Sequence, residues 1–96
     1  MDLWIKEAIG RLKRSEATIL FGEHAAKDKN LTVQDVDNVV CTVRVGKIDE
    51  KKSSHEKERI CFKNYFGDEG LTYFVITEHY PEFIKIVTVI KKKGKH

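Results

Sequence analysis

The run from Glu58 to Lys92 constrains the fold more than any other part of the chain. It reads E-R-I-C-F-K-N-Y-F, a Gly-Asp-Glu-Gly turn, L-T-Y-F-V-I-T-E-H-Y, a turn at Pro81, and F-I-K-I-V-T-V-I-K-K. Three β-branched and aromatic runs joined by short turns predict an antiparallel meander. In the first run Ile60, Phe62 and Asn64 share one face while Arg59, Cys61, Lys63 and Tyr65 share the other, because side chains alternate along a strand. Only the first of these faces is apolar; the second is wet. In the next run Leu71, Tyr73 and Val75 alternate with Phe74 and Ile76, which marks a central strand covered on both sides. The last run is nearly as two-sided, with Ile84, Ile86, Thr88 and Ile90 alternating with Phe83, Lys85, Val87 and Val89.

Upstream of the meander the period is helical. Ile5, Ala8, Ile9 and Leu12, widened by Leu3 and Trp4, predict an amphipathic helix over residues 2–14, with Asp2 as N-cap and Arg11, Lys13 and Arg14 complementing its dipole. Thr18 to Phe21 is a short strand ending at Gly22, and Glu23 to Lys29 is a short helix stopped at Asn30. Thr32 caps a further helix, with Asp35 at the third position of a capping box and Val33, Val36, Val39 and Val40 as its buried stripe. From Cys41 the period changes to two, so Cys41, Val43 and Val45 predict a strand to about Ile48. A solvated loop or long hairpin tip over 49–57 follows. The expected architecture is a single α+β domain over 1–96. It combines a four-stranded antiparallel sheet with N-terminal helices on one face, and ends in a basic tail over 91–96.

Composition narrows the function classes. At 96 residues, 41% hydrophobic and 34% charged, the chain can fold around one core without staples, and it is not a disordered polymer. Cys41 and Cys61 have no further cysteine partners, which speaks against a disulfide framework or a zinc site and for thiols in a reducing compartment. No continuous apolar signal core and no run of about 18 apolar residues is present, so a cytoplasmic protein without a membrane partner is expected. A net charge of +3 admits a polyanionic partner without requiring one. His55 and His79 lack a second ligand at a metal spacing, and there is no Gly-rich phosphate loop and no G-x-S-x-G elbow. Neither a metal nor a cofactor is expected.

The ordered segment I-L-F-G-E-H-A-A-K-D-K-N-L-T-V-Q-D-V-D-N-V-V, followed by a charged stretch and a closing I-V-T-V-I strand, resembles the RelE/BrnT-like toxin superfamily. The likeness is to an uncharacterised family of small domains within it. It spans about Ile19 to Lys92 and rests on a His-Ala pair opening a helix, a Thr-x-x-Asp-Val segment and a Val-Thr-Val core in the last strand. The resemblance implies a RelE-like fold and either a metal-independent mRNA endonuclease or an inactive relative. Its partners would be RNA and an antitoxin protein that covers the active face. It places His24 at the His-Ala pair and Lys27 or Lys29 at the basic position that follows.

Metal-free RNA cleavage needs a base for the 2′-hydroxyl, an acid for the leaving 5′-oxygen, and cations on the phosphate. His24 suits the acid or base role, and Arg59 and Lys63 complete a candidate catalytic set. Arg44 and Lys85 are candidate phosphate contacts, and Tyr65 or Tyr73 offers a ring for base stacking or a proton. The same residue types have structural uses. A His opening a helix caps it or edges the core, strand cations protect sheet edges, and tyrosines pack. A non-catalytic module that binds protein or nucleic acid through the same sheet face is the alternative expectation.

Overall fold

A computed structural model describes residues 3–10, 13–28 and 31–96. Its elements are α1 (Leu3–Gly10), β1 (Ile19–Phe21), α2 (Glu23–Ala26), α3 (Val33–Val45), β2 (Lys47–Ser54), β3 (Arg59–Phe66), β4 (Leu71–His79) and β5 (Ile84–Lys93). The expected N-cap Asp2, the helix residues Arg11 and Leu12, and Lys29 and Asn30 lie outside the described residues.

The fold is α+β, but the sheet has five strands and is mixed, in the order β1-β5-β4-β3-β2. Strands β2 to β5 make the antiparallel meander, while β1 lies parallel to β5 with Ile19 opposite Ile84 and Phe21 opposite Ile86. The expectation of four antiparallel strands is corrected accordingly. A three-residue strand carries no periodicity that names its partner, so long-range bonds decide the pairing. The Ile84 N–H donates to the Thr18 carbonyl at 2.9 Å and the Gly22 N–H donates to the Ile86 carbonyl at 2.8 Å.

Helix α3 departs further from expectation. Residues 41–45 are its last turn and not the start of a strand, so Arg44 sits on a helix and β2 begins only at Lys47. The alternation of Cys41, Val43 and Val45 is outweighed by a helical set, Asp35, Asn38, Val39, Thr42 and Val43, which is the face that becomes buried. Of the predicted valine stripe only Val39 is fully buried, and Val33 is 83% exposed. Thr32 caps the helix as expected, its Oγ1 accepting from the Asp35 amide while the Asp35 carboxylate accepts from the Thr32 amide. At the other end Gly46 donates its N–H to the Thr42 carbonyl.

Arg14 lies beyond α1 and serves α3 instead. Its guanidinium donates to the carbonyls of Val43 at 3.1 Å and Gly46 at 3.0 Å, at the negative end of the α3 dipole, and stands 4.5 Å over the Phe62 ring. Arg44 reciprocates, donating to the carbonyls of Arg14 and Ala17. The two arginines thus tie the segment before β1 to the end of α3.

The stretch expected as a loop or long hairpin tip over 49–57 is the outer part of the β2–β3 hairpin, and most of it is strand. β2 extends to Ser54 with a register irregularity after Asp49, and residues 55–58 turn into β3. Its polarity reflects an edge position, where lysines discourage pairing with another sheet. The core lies on one sheet face, where Ile5, Ala8, Ala25, Val39 and Val43 close over Ile60, Phe62, Val75, Ile84 and Ile86. Each Val, Ile or Phe side chain among them contributes about 1.5–3 kcal/mol by leaving water. Among the described residues no helix is long and apolar enough to cross a membrane.

Candidate functional site on the open sheet face

Strand register places the predicted polar residues with respect to one another. Arg59 pairs with Glu78 and Glu78 with Lys85, Lys63 pairs with Phe74, and Tyr65 with Thr72. Arg59, Lys63, Tyr65 and Lys85 therefore share the sheet face opposite the core. The centre of that face is dry. Cys61 is fully buried and Phe74 nearly so, with the Lys52 and Lys92 ammonium groups 5.0 and 5.7 Å from the Phe74 ring centre and His96 edge-on to it. Burial pushes the Cys61 thiol up to about 12, so it stays protonated. The wet face expected for β3 is wet only at its two ends, and each end carries a depression.

The first depression, about 470 Å³, is lined by Gly22, Glu23, His24, Lys27, Arg59, Lys85 and Val87. Its walls come from three parts of the chain. Gly22 fits because its backbone lies against β5; a Cβ there would meet the Ile86 carbonyl oxygen and the Lys85 side chain at 2.9 Å. The chain then turns into α2, whose Ala25 enters the core while His24 and Lys27 stay exposed beside the strand cations. The cations are not bare. The Lys27 ammonium meets the Glu23 carboxylate at 2.7 Å, and Glu78 receives Arg59 at 3.3 Å and Lys85 at 3.7 Å. Burial alone would raise the Glu78 pKa, but the Tyr80 hydroxyl, the Arg59 guanidinium and the Lys85 charge outweigh it and hold the carboxyl below its ordinary value.

The second depression, about 480 Å³, is lined by Val45, Lys47, Lys63, Asn64, Tyr65, Thr72, Lys95 and His96. Lys63 and Arg59 are four residues apart on one strand, about 13 Å at 3.3 Å per residue. The candidate catalytic set is therefore divided. His24, Arg59, Lys27 and Lys85 come together; Lys63 and Tyr65 form the other end. Arg44 joins neither, because it lies on the opposite side of the sheet, bonded to backbone carbonyls.

Tyr73 is excluded from ligand contact. Its side chain is on the core face, fully buried, and its hydroxyl donates to Asp35 and accepts from the Asn38 amide. Asp35 also receives Lys91 at 3.0 Å. Burial works to raise the Asp35 pKa, yet the Tyr73 hydroxyl, the Thr32 amide and Lys91 lower it to about 2, while burial and the Asp35 bond push Tyr73 up to about 12. This cluster fastens α3 to β4 and β5.

Glu78 is the residue that sequence reasoning missed. The available signal was a carboxylate at the end of a strand whose open-face neighbours, Phe74 and Ile76, are apolar. Among the described residues no three His, Cys, Asp or Glu side chains are grouped closely enough to hold a metal ion. Comparison with protein-family models, with curated proteins and with solved structures finds no match to the chain.

Proposed function

We propose that the protein is a cytoplasmic RelE/BrnT-like domain that binds single-stranded RNA on the open sheet face and cleaves it without metal at the His24 depression. The observation that carries this reading is the convergence of His24 from α2 with Arg59 from β3 and Lys85 from β5 on one solvent-filled concavity. In it, His24 takes the proton of the attacking 2′-hydroxyl or returns one to the leaving 5′-oxygen. Arg59 and Lys85 face the phosphate on which charge accumulates, and a planar guanidinium suits two phosphate oxygens at once. An antitoxin protein would act by covering this face.

The test is cleavage of a labelled RNA by purified protein, with and without ribosomes, comparing wild type with His24→Ala and Arg59→Ala. Loss of at least about 100-fold in rate for His24→Ala is expected for a general acid or base. Absence of cleavage by wild type in both conditions would sink the catalytic reading. One observation favours a second reading, a binding module without catalysis. Arg59, Lys85 and Lys27 already have carboxylate partners, which lowers their availability to a phosphate in flight. RNA retention by wild type without cleavage would support that reading.

A further inference from the structure

We infer that the depression at the β2–β3 end of the open face is a nucleotide subsite of its own, in which Lys47, Lys63 and Lys95 hold phosphate and Tyr65 stacks on a base. The inference rests on the single-stranded RNA reading for its ligand class, but not on catalysis.

It starts from a local conflict in the sheet. Lys47 stands directly opposite Lys63 in the β2–β3 ladder, on the open face. Like charges directly across a ladder are unfavourable, and a strand pair without a use for them would place an acid at one position. Some cations elsewhere on the molecule are paired in that way. Lys27, Arg59, Lys85 and Lys91 each meet a carboxylate within 4 Å. Among the described residues no carboxylate pairs with Lys47, Lys63 or Lys95. The diagonal neighbour Asp49 accepts from the Lys52 amide. Three unpaired ammonium groups thus line one concavity, and an anion seated between them removes the repulsion and supplies the missing partner.

The walls narrow the anion to a nucleotide. Tyr65, 39% exposed, lines this depression with His96, and they are its two aromatic rings. An exposed ring flanked by cations is the arrangement on which a base stacks while its phosphate is neutralised, and it tolerates any sequence. The tail that brings Lys95 into place is held. Thr72 Oγ1 donates to the Gly94 carbonyl at 2.6 Å and accepts from the His96 amide, and Gly94 donates its N–H to the Gly70 carbonyl at 2.8 Å. Gly94 has φ +84°, a conformation that favours glycine and turns the chain back over the sheet.

The experiment is fluorescence anisotropy with a labelled uridine-rich 10-mer RNA, and the DNA of the same sequence, over a series of salt concentrations. It uses the full chain, both as wild type and in a His24→Ala background so that cleavage does not enter. The double variant Lys47→Gln, Lys63→Gln should weaken binding about tenfold and lower the slope of log affinity on log salt by about 1.4, at about 0.7 per phosphate contact on a single strand. Tyr65→Ala should weaken it about tenfold with the slope unchanged, since stacking is not ionic. Lys6→Gln, the loss of one charge on α1, controls for half of that change in net charge and should stay within about twofold. The double variant should melt at the same temperature as wild type or higher, because it loses a like-charge pair, so weaker binding cannot be ascribed to misfolding. Equal affinity and slope for the double variant and wild type would overturn the inference, even if the protein cleaves RNA. Binding with the predicted slope change in a protein that does not cleave would uphold it while the catalytic reading fails.

Discussion

Asp35→Asn should cost about 2 kcal/mol at neutral pH and should abolish much of the protein's sensitivity to acid. The Asp35 side chain is only 7% exposed, and its carboxylate accepts from the Tyr73 hydroxyl, the Thr32 amide and the Lys91 ammonium. These donors outweigh burial and take the carboxyl from an ordinary 3.8 to about 2. The folded pKa is below the unfolded one, so between them the unfolded chain binds the proton and the native state does not. The stabilisation is therefore whole above about pH 5 and is lost as the pH falls through 3.8 toward 2. At about 1.4 kcal/mol per tenfold in proton affinity, that displacement is worth about 2 kcal/mol. Asparagine keeps the shape but has one acceptor oxygen, which can take the place of Oδ2 and accept from Thr32, so the cap survives while the Tyr73 bond, the charge and the Lys91 pair do not. Urea unfolding followed by far-UV circular dichroism from pH 1.5 to 7 measures it. The wild-type curve should fall about 2 kcal/mol further than the variant's, and the two should converge at the acid end. Glu78 is also held below its ordinary value, but it acts equally in both proteins and cancels in the difference. Parallel curves over the whole range would refute the coupling of Asp35 to Tyr73 and Lys91.

Arg44→Ala should lower stability by about 1–3 kcal/mol, because two half-buried carbonyls, of Arg14 and Ala17, lose a charged donor; thermal melts read it. Gly46→Ala should cost at least about 1–3 kcal/mol, since the added Cβ would lie 2.4 Å from the Thr42 carbonyl oxygen and 2.8 Å from that of Lys63; Gly67→Ala, whose Cβ meets only the Tyr65 ring at 3.8 Å, is the control in the same melts. Glu78→Gln releases Arg59 and Lys85 from their shared carboxylate and should tighten RNA binding several-fold at low salt, as read by anisotropy.

Particular residues show what was legible in the sequence. The common face of Arg59, Lys63 and Tyr65 could be read because strand alternation is local and strict, and the Thr32 cap could be read because it needs only Thr-x-x-Asp. The end of α3 could not. Cys41 to Val45 fits period two as well as a helical turn, and β-branched residues favour the strand reading. The helix wins through a contact made by Arg14, about 30 residues earlier, on the Val43 and Gly46 carbonyls. That error carried Arg44 onto the wrong surface. The parallel seat of β1 was hidden for a similar reason, being fixed by Ile84 and Ile86 more than 60 residues downstream. For the site, a basic residue on a strand says nothing of its partner, and Glu78 reaches Arg59 and Lys85 only after three strands have come into register.

That pairing changes what the cations of the open face can do. Counting lysines and arginines makes the two depressions equivalent, yet Glu78 pairs with Arg59 and Lys85 whereas no carboxylate among the described residues pairs with Lys47, Lys63 or Lys95. Attraction of a phosphate from solution depends on the uncompensated charge, so affinity on this reading belongs mainly to the β2–β3 end. The proton-transfer group, His24, stands at the other end, beside cations whose carboxylate must yield before they engage a phosphate fully. Substitutions at the two ends should then act in opposite directions on binding. Removing Lys63 weakens it and removing the Glu78 charge strengthens it, although both lie on one face about 13 Å apart along the strands. If both changes weaken binding, Glu78 itself contacts the RNA; if neither alters binding, the open face is not where RNA lies.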